Sequence, residues 1–162
     1  MRPNQPAAFG RVTSGQVLFV VISIVVFALD RITKSLVMAN VPYGTEVAVI
    51  GHLVGITNVH NSGAAFGFAP AGAGFFLAAS AVVAVGLAIY VARHPGDMRF
   101  DAILGLIMGG TLGNGYSRIA YGSVTDFINF HFWPVFNVAD AAISCGVVAL
   151  IGGYLLRKQP TA

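Results

Sequence analysis

From Ala71 to Ala92 the chain carries no charged residue. A helix needs about 20 mostly apolar residues to cross the hydrocarbon core of a bilayer, so this stretch is long enough to be a span. The composition agrees: the chain is 56% hydrophobic, 9% charged and has a mean hydropathy of +0.78. A soluble domain is closer to about 45–50% apolar and about 25% charged. Three other segments reach similar length. Val17 to Leu29 runs apolar to Asp30 and is extended by Thr13 to Gln16 before it and by Ile32, Leu36 and Val37 after it. Ala102 to Gly115 continues through the more polar Tyr116 to Tyr121, and Val138 to Leu156 closes the chain. The expectation is an all-α membrane protein in a single domain over 1–162, with spans at roughly 14–38, 71–92, 101–121 and 138–156.

The basic residues orient these spans. Arg2, Arg11, Arg93, Arg99, Arg157 and Lys158 fall on one side, and Arg31, Lys34 and Arg118 on the other. The positive-inside rule then places both termini in the cytoplasm. Although the net charge is +3, these cations are few and scattered, which speaks for charged loops and against a nucleic-acid partner. The first span does not read as a cleaved leader, because three more follow it. The lone Cys145 lies in an apolar run and reads as a small packing residue.

Residues 40–70 fall outside the spans. There Val47 to Ile50, Leu53 to Ile56 and Val59 lean towards strand and are broken by Gly44, Gly51 and Gly55, so a small sheet or hairpins are expected. In the third span Gly105, Gly109 and Gly113 recur every four residues, a seam that lets helices approach closely.

Polar residues in so apolar a chain need reasons. Asp30 and Lys34, four apart, share a helix face and suit either an ion pair or a snorkelling anchor. Asn61-Ser62-Gly63-Ala64-Ala65-Phe66-Gly67 before the second span is either a turn or a close-approach loop. Arg118 ends Gly113-Asn114-Gly115-Tyr116-Ser117-Arg118, where it would bind a phosphate, a carbonyl or a carboxylate, or anchor the helix. Asp126 and Asp140, each among Phe, Val and Ala, are the sharpest signal. Held close, two carboxylates cannot both ionise easily, which leaves one as base and one as acid. Two separate helix N-caps are the competing account, with Asn137 the better cap of the last span. His52, His60, His94 and His131 show no metal-ligand spacing, and neither a G-x-S-x-G nor a phosphate-binding loop is present.

In order, Asp30-x-x-x-Lys34, Asn61-x-Gly63-Ala64-Ala65-Phe66, Gly109-Gly110-x-Leu112-Gly113-Asn114-x-x-x-Arg118, Val124-x-Asp126-Phe127 and Phe136-Asn137-Val138-Ala139-Asp140 resemble the motifs of the lipoprotein signal peptidases (signal peptidase II), bacterial inner-membrane aspartyl proteases. The resemblance implies a four-helix transmembrane bundle with a small extracytoplasmic β-cradle at 40–70. It implies removal of signal peptides from prolipoproteins, just before a diacylglyceryl-modified cysteine. Asp126 and Asp140 match the catalytic pair, and Asn61, Asn114, Arg118 and Asn137 match substrate-side residues. Asp30 and Lys34 match the first-helix motif that supports the site. Neither a metal nor an organic cofactor is implied; the partners are lipidated precursors and membrane lipid, and the enzyme is expected to be a monomer. Two departures stand out. Ser117 occupies a position where the family usually has Asp, and the segment Phe127 to Ala139 is short, which would alter the rim of the site. The rival readings are a small proton-coupled transporter, since intramembrane carboxylates also relay protons, and a structural membrane subunit.

Overall fold

The computed structural model describes residues 12–63, 72–94 and 97–157. Arg2, Arg11, Lys158 and the Ala64 to Gly67 part of the Asn61 loop lie outside them. The elements are α1 (Ser14–Asn40), β1 (Glu46–Ile50), β2 (Val54–Asn61), α2 (Gly72–Arg93), α3 (Met98–Tyr121), β3 (Val124–Asn129) and α4 (Val138–Arg157). The protein is therefore mostly helical, with one small antiparallel sheet in the order β1-β2-β3.

The helix ends follow from local chemistry. Thr13 caps α1 in a reciprocal box with Gln16, each satisfying an N–H that the helix leaves orphaned. Asp97 caps α3 by accepting from the Arg99 N–H. Gly122, at φ 72°, ends α3 in the left-handed conformation that glycine adopts without steric cost. The fully buried Asp101 lies against Gly15 in the first turn of α1, where the partial positive charge of the helix end favours a carboxylate and a Cβ at Gly15 would collide with it.

Helices α1, α2 and α4 are long and apolar enough to cross a membrane. The third expected span, α3, is more polar. It is also the helix on which α1, α2 and α4 all pack, so its polar side chains are covered by protein. The four-residue glycine seam of α3 makes the close helix contact expected of it, and its partner is α1. A Cβ at Gly105 would come within 2.9 Å of the Phe19 carbonyl, and one at Gly109 within 2.6 Å of the Val26 Cβ. One at Gly113 would meet Asp30 Oδ2 at 2.6 Å. Gly110 gives α4 the same close approach, at the Ala139 carbonyl.

Two expectations change. The sheet is not confined to 40–70, because β3 adds Val124 to Asn129 as the partner of β2. Cys145 does not pack inside but faces outward from α4. Two apolar clusters brace the bundle. Phe19, Val91, Leu104 and Met108 hold one end, and Val37, Val41 and Phe127 join α1 to β3 at the sheet end.

Gly109→Val should cost about 1–3 kcal/mol through overpacking against α1. Gly152→Ala, where a Cβ would meet nothing within 4 Å, should be neutral or stabilising by about 0.5–1 kcal/mol. Thermal unfolding of both variants in detergent measures the contrast.

Candidate active site

The sheet assembles the first part of the site. Asn61 on β2 stands opposite Val124 on β3, so Asp126, two residues along, projects from the same face. The Asn61 Nδ2 donates to Asp126 Oδ2 at 2.9 Å. Just after β3 the chain folds back on itself. The N–H groups of Phe127 and Ile128 both donate to the Phe136 carbonyl, at 3.0 and 2.8 Å. That clamp sets the next residue, Asn137, beside Asp126, to which its Nδ2 donates at 2.6 Å.

Asn137 is also the N-cap of α4. Its Oδ1 accepts from the Asp140 N–H at 3.0 Å, and its own N–H donates to Asp140 Oδ2 at 3.2 Å. This reciprocal box unites two readings that the sequence left apart. Asn137 caps the helix, Asp140 completes the cap, and the same arrangement joins Asp140 to Asp126. Asp126 itself caps nothing, because it lies in a strand.

From the other side the site rests on Asp30 and Lys34. Both are fully buried, so the snorkelling account does not hold for them. Lys34 Nζ lies 2.9 Å from each Asp30 oxygen and donates to Asn114 Oδ1 at 2.8 Å. Asn114 Nδ2 then donates to Asp140 Oδ1 at 2.7 Å. Asp30 Oδ1 also accepts the Ala139 N–H, in the first turn of α4, at 3.2 Å. A continuous polar chain therefore runs from α1 through α3 to both aspartates.

The orientation of all three asparagines follows from groups that can only donate. Lys34 has no acceptor, so Asn114 must turn its oxygen to Lys34 and its amide to Asp140. The Asp140 N–H fixes Asn137 in the same way, and the Gly63 N–H fixes Asn61 at 2.8 Å. Each amide then points its N–H bonds at a carboxylate of the pair. Burial pushes the Asp126 carboxyl above the usual carboxylate range. Hydrogen bonds from Asn61 and Asn137 pull the other way, the charge of Asp140 adds to the rise, and burial prevails.

A family model described as "Signal peptidase (SPase) II" matches residues 22–156. The chain belongs to the signal peptidase II family. It is 39% identical over 142 residues to the lipoprotein signal peptidase of Gloeobacter violaceus, covering 86% of this chain and 82% of that protein. With the lipoprotein signal peptidase of Symbiobacterium thermophilum it shares 38% identity over 154 residues, 90% of this chain and 99% of the relative. It also resembles a bacterial membrane enzyme solved by the in meso method, with a TM-score of 0.82 at 26% identity, over 94% of this chain and all of the other. Family membership makes this protein a membrane protease.

The remaining residues of the motif set flank the pair. Arg118 makes one long hydrogen bond, Nη1 to the Asn114 carbonyl at 3.4 Å, and its guanidinium lies 5.2 Å from the centre of the Phe76 ring. Its Nε is buried with no hydrogen-bond partner among the described residues. Ser117 accepts from Arg31 Nη1 at 2.9 Å and donates to the Gly113 carbonyl, so a hydrogen bond is kept where an ion pair is absent. The contact of Arg31 with Ser117 was not foreseen in the sequence, nor was strand β3. The β-branched and aromatic residues Val124, Thr125, Phe127 and Ile128 were the available signal for the strand.

Lys34→Met should leave Asp30 as an uncompensated buried charge and cost about 3–5 kcal/mol. Asp30→Leu combined with Lys34→Met should recover most of that loss in thermal unfolding while leaving Asn114 free to turn. A second expectation concerns pH. The folded protein holds the Asp126 proton more tightly than the unfolded chain does, so stability should fall as pH rises from the usual carboxylate range through the raised value. In Asp126→Asn that slope should vanish, which melting temperature against pH measures.

Proposed function

We propose that this protein removes signal peptides from diacylglyceryl-modified prolipoproteins by aspartyl proteolysis, cutting before the lipidated cysteine. The observation that carries the reading is Asn137, which donates to Asp126 from its side chain and to Asp140 from its backbone and so holds the two carboxylates at one site. Asp140 lies in the first turn of α4, where the partial positive charge of the helix suits a carboxylate. Asp126 is the more deeply buried of the two, and that burial raises its pKa, which suits it to the acid's part in the pair.

In this mechanism Asp140 takes a proton from water, and the resulting hydroxide attacks the scissile carbonyl carbon. The proton on Asp126 passes to the developing oxyanion, giving a neutral tetrahedral intermediate. Asp140 then gives its proton to the amide nitrogen. The C–N bond breaks, and Asp126 recovers its proton as the carbonyl re-forms. No covalent enzyme intermediate is involved. Asn61, Asn114 and Asn137 hold the carboxylates in place, and the free donors of Arg118 line the substrate side.

In the same reading the whole chain is one domain in the bacterial inner membrane, acting as a monomer. All four helices span, with termini in the cytoplasm and the pair facing outward. The support is that α3, with 24 residues, is about 36 Å long at the usual helical rise, and that basic residues divide six to three between the two sides. The three-stranded sheet serves as the cradle over the site.

Asp126→Asn and Asp140→Asn should each abolish cleavage of a lipidated precursor, by about 10³-fold or more, while the variants remain folded. Wild-type kcat should fall on both the acid and the alkaline side as the pair gains or loses its shared proton. Cleavage retained in either folded variant would overturn the mechanism.

A further inference from the structure

Near the far end of the bundle α1 and α2 are tied together, where Gln16 Nε2 donates to the Val91 carbonyl at 3.0 Å. Towards the sheet end the two helices leave between them a groove of about 500 Å³, floored by α3. Phe27, Leu77, Ala81, Leu112, Tyr116 and Ile119 line it, and its walls are almost wholly apolar. It shares no residue with the polar chain around Asp126 and Asp140.

The upper rim of the groove is cationic. Arg31 lies one helical turn beyond Phe27 on the same face of α1. Its guanidinium lies 4.6 Å from the centre of the Tyr116 ring and 5.5 Å from that of Tyr121. It donates to Ser117 Oγ at 2.9 Å and to the Tyr121 hydroxyl at 3.4 Å. Tyr116 connects the two parts: it stacks edge-on against Phe27 in the groove wall and supports the guanidinium above. Among the described residues no carboxylate pairs with Arg31. Two of its five N–H bonds are engaged, and the others remain for an anion. An apolar slot of this size at bilayer depth takes an alkyl chain, and an arginine held at its mouth takes a phosphate.

We propose that the groove between α1 and α2 binds a glycerophospholipid, one acyl chain lying along α3 and the phosphate on Arg31, at a site separate from the proteolytic one. A diacylglyceryl peptide has the chains but no phosphate, so the cation at the rim favours phospholipid over substrate.

The test is native mass spectrometry of the full chain released from detergent with phosphatidylglycerol or with dioleoylglycerol. Phosphatidylglycerol should stay bound, and dioleoylglycerol should not. Arg31→Gln should weaken phosphatidylglycerol retention about tenfold, the loss of a charge-assisted contact, whereas Arg31→Lys should retain much of it. Ala81→Phe, an exposed position on α2, should fill the groove and remove the lipid. Precursor cleavage measured on the same samples should persist in all three variants, which separates this site from the proteolytic reading. Equal phosphatidylglycerol retention in wild type, Arg31→Gln and Ala81→Phe would overturn the proposal. So would dioleoylglycerol binding as well as phosphatidylglycerol, or displacement of the phospholipid by an equimolar lipidated precursor.

Discussion

A lysine ammonium with no exposure to solvent is the constraint on which the site depends. Lys34 can only donate, and it lies inside a bundle too apolar to solvate it. Its neighbours must therefore be acceptors, and Asp30 and the Asn114 oxygen fill that role. Everything downstream follows from that choice. With its oxygen committed, Asn114 has only N–H bonds to offer Asp140, and Asp30 has an oxygen left for the first turn of α4. The ion pair thus places and orients groups more than it stabilises the bundle, since a buried pair of charges barely offsets its own desolvation.

The same need explains the unusual character of α3. A helix carrying Asp101, Asn114 and Arg118 is a poor candidate for a lipid-facing span, but it packs against three other helices. Small residues make that burial possible. Where Gly105, Gly109 and Gly113 face α1, and Gly110 faces α4, the backbones approach so closely that side chains on neighbouring helices meet over short distances. Gly113 in particular leaves the space that the Asp30 carboxylate occupies. Close packing and the polar chain are one feature.

At the other end of that chain the sheet does what a helix bundle alone cannot. Antiparallel pairing of β2 with β3 fixes Asn61 and Asp126 on one face, and the clamp at Phe136 brings Asn137 to the same point. Residues far apart in the chain are thereby held by backbone hydrogen bonds, which tolerate little drift. The apolar contact of Val37 and Val41 with Phe127 then locks the sheet onto α1.

The sequence alone determined the helices, because span length and apolar run are local properties, and the glycine seam, because a repeat of four is a helix face. It also marked Asp126 and Asp140 as the residues whose burial needed a purpose, and the ordered motifs named the family. Only the tertiary structure decided the rest. Val124 to Asn129 became a strand because β2 was there to pair with it, and the partners of Asp126 come from positions 61 and 137. Spacing left capping and pairing as rival accounts of Asp140; packing made them compatible, because a carboxylate in the first turn of a helix accepts the cap's N–H with one oxygen and a neighbour's amide with the other. Hydrogen bonds between distant residues depend on which faces meet, and that is set by the packing of the whole chain.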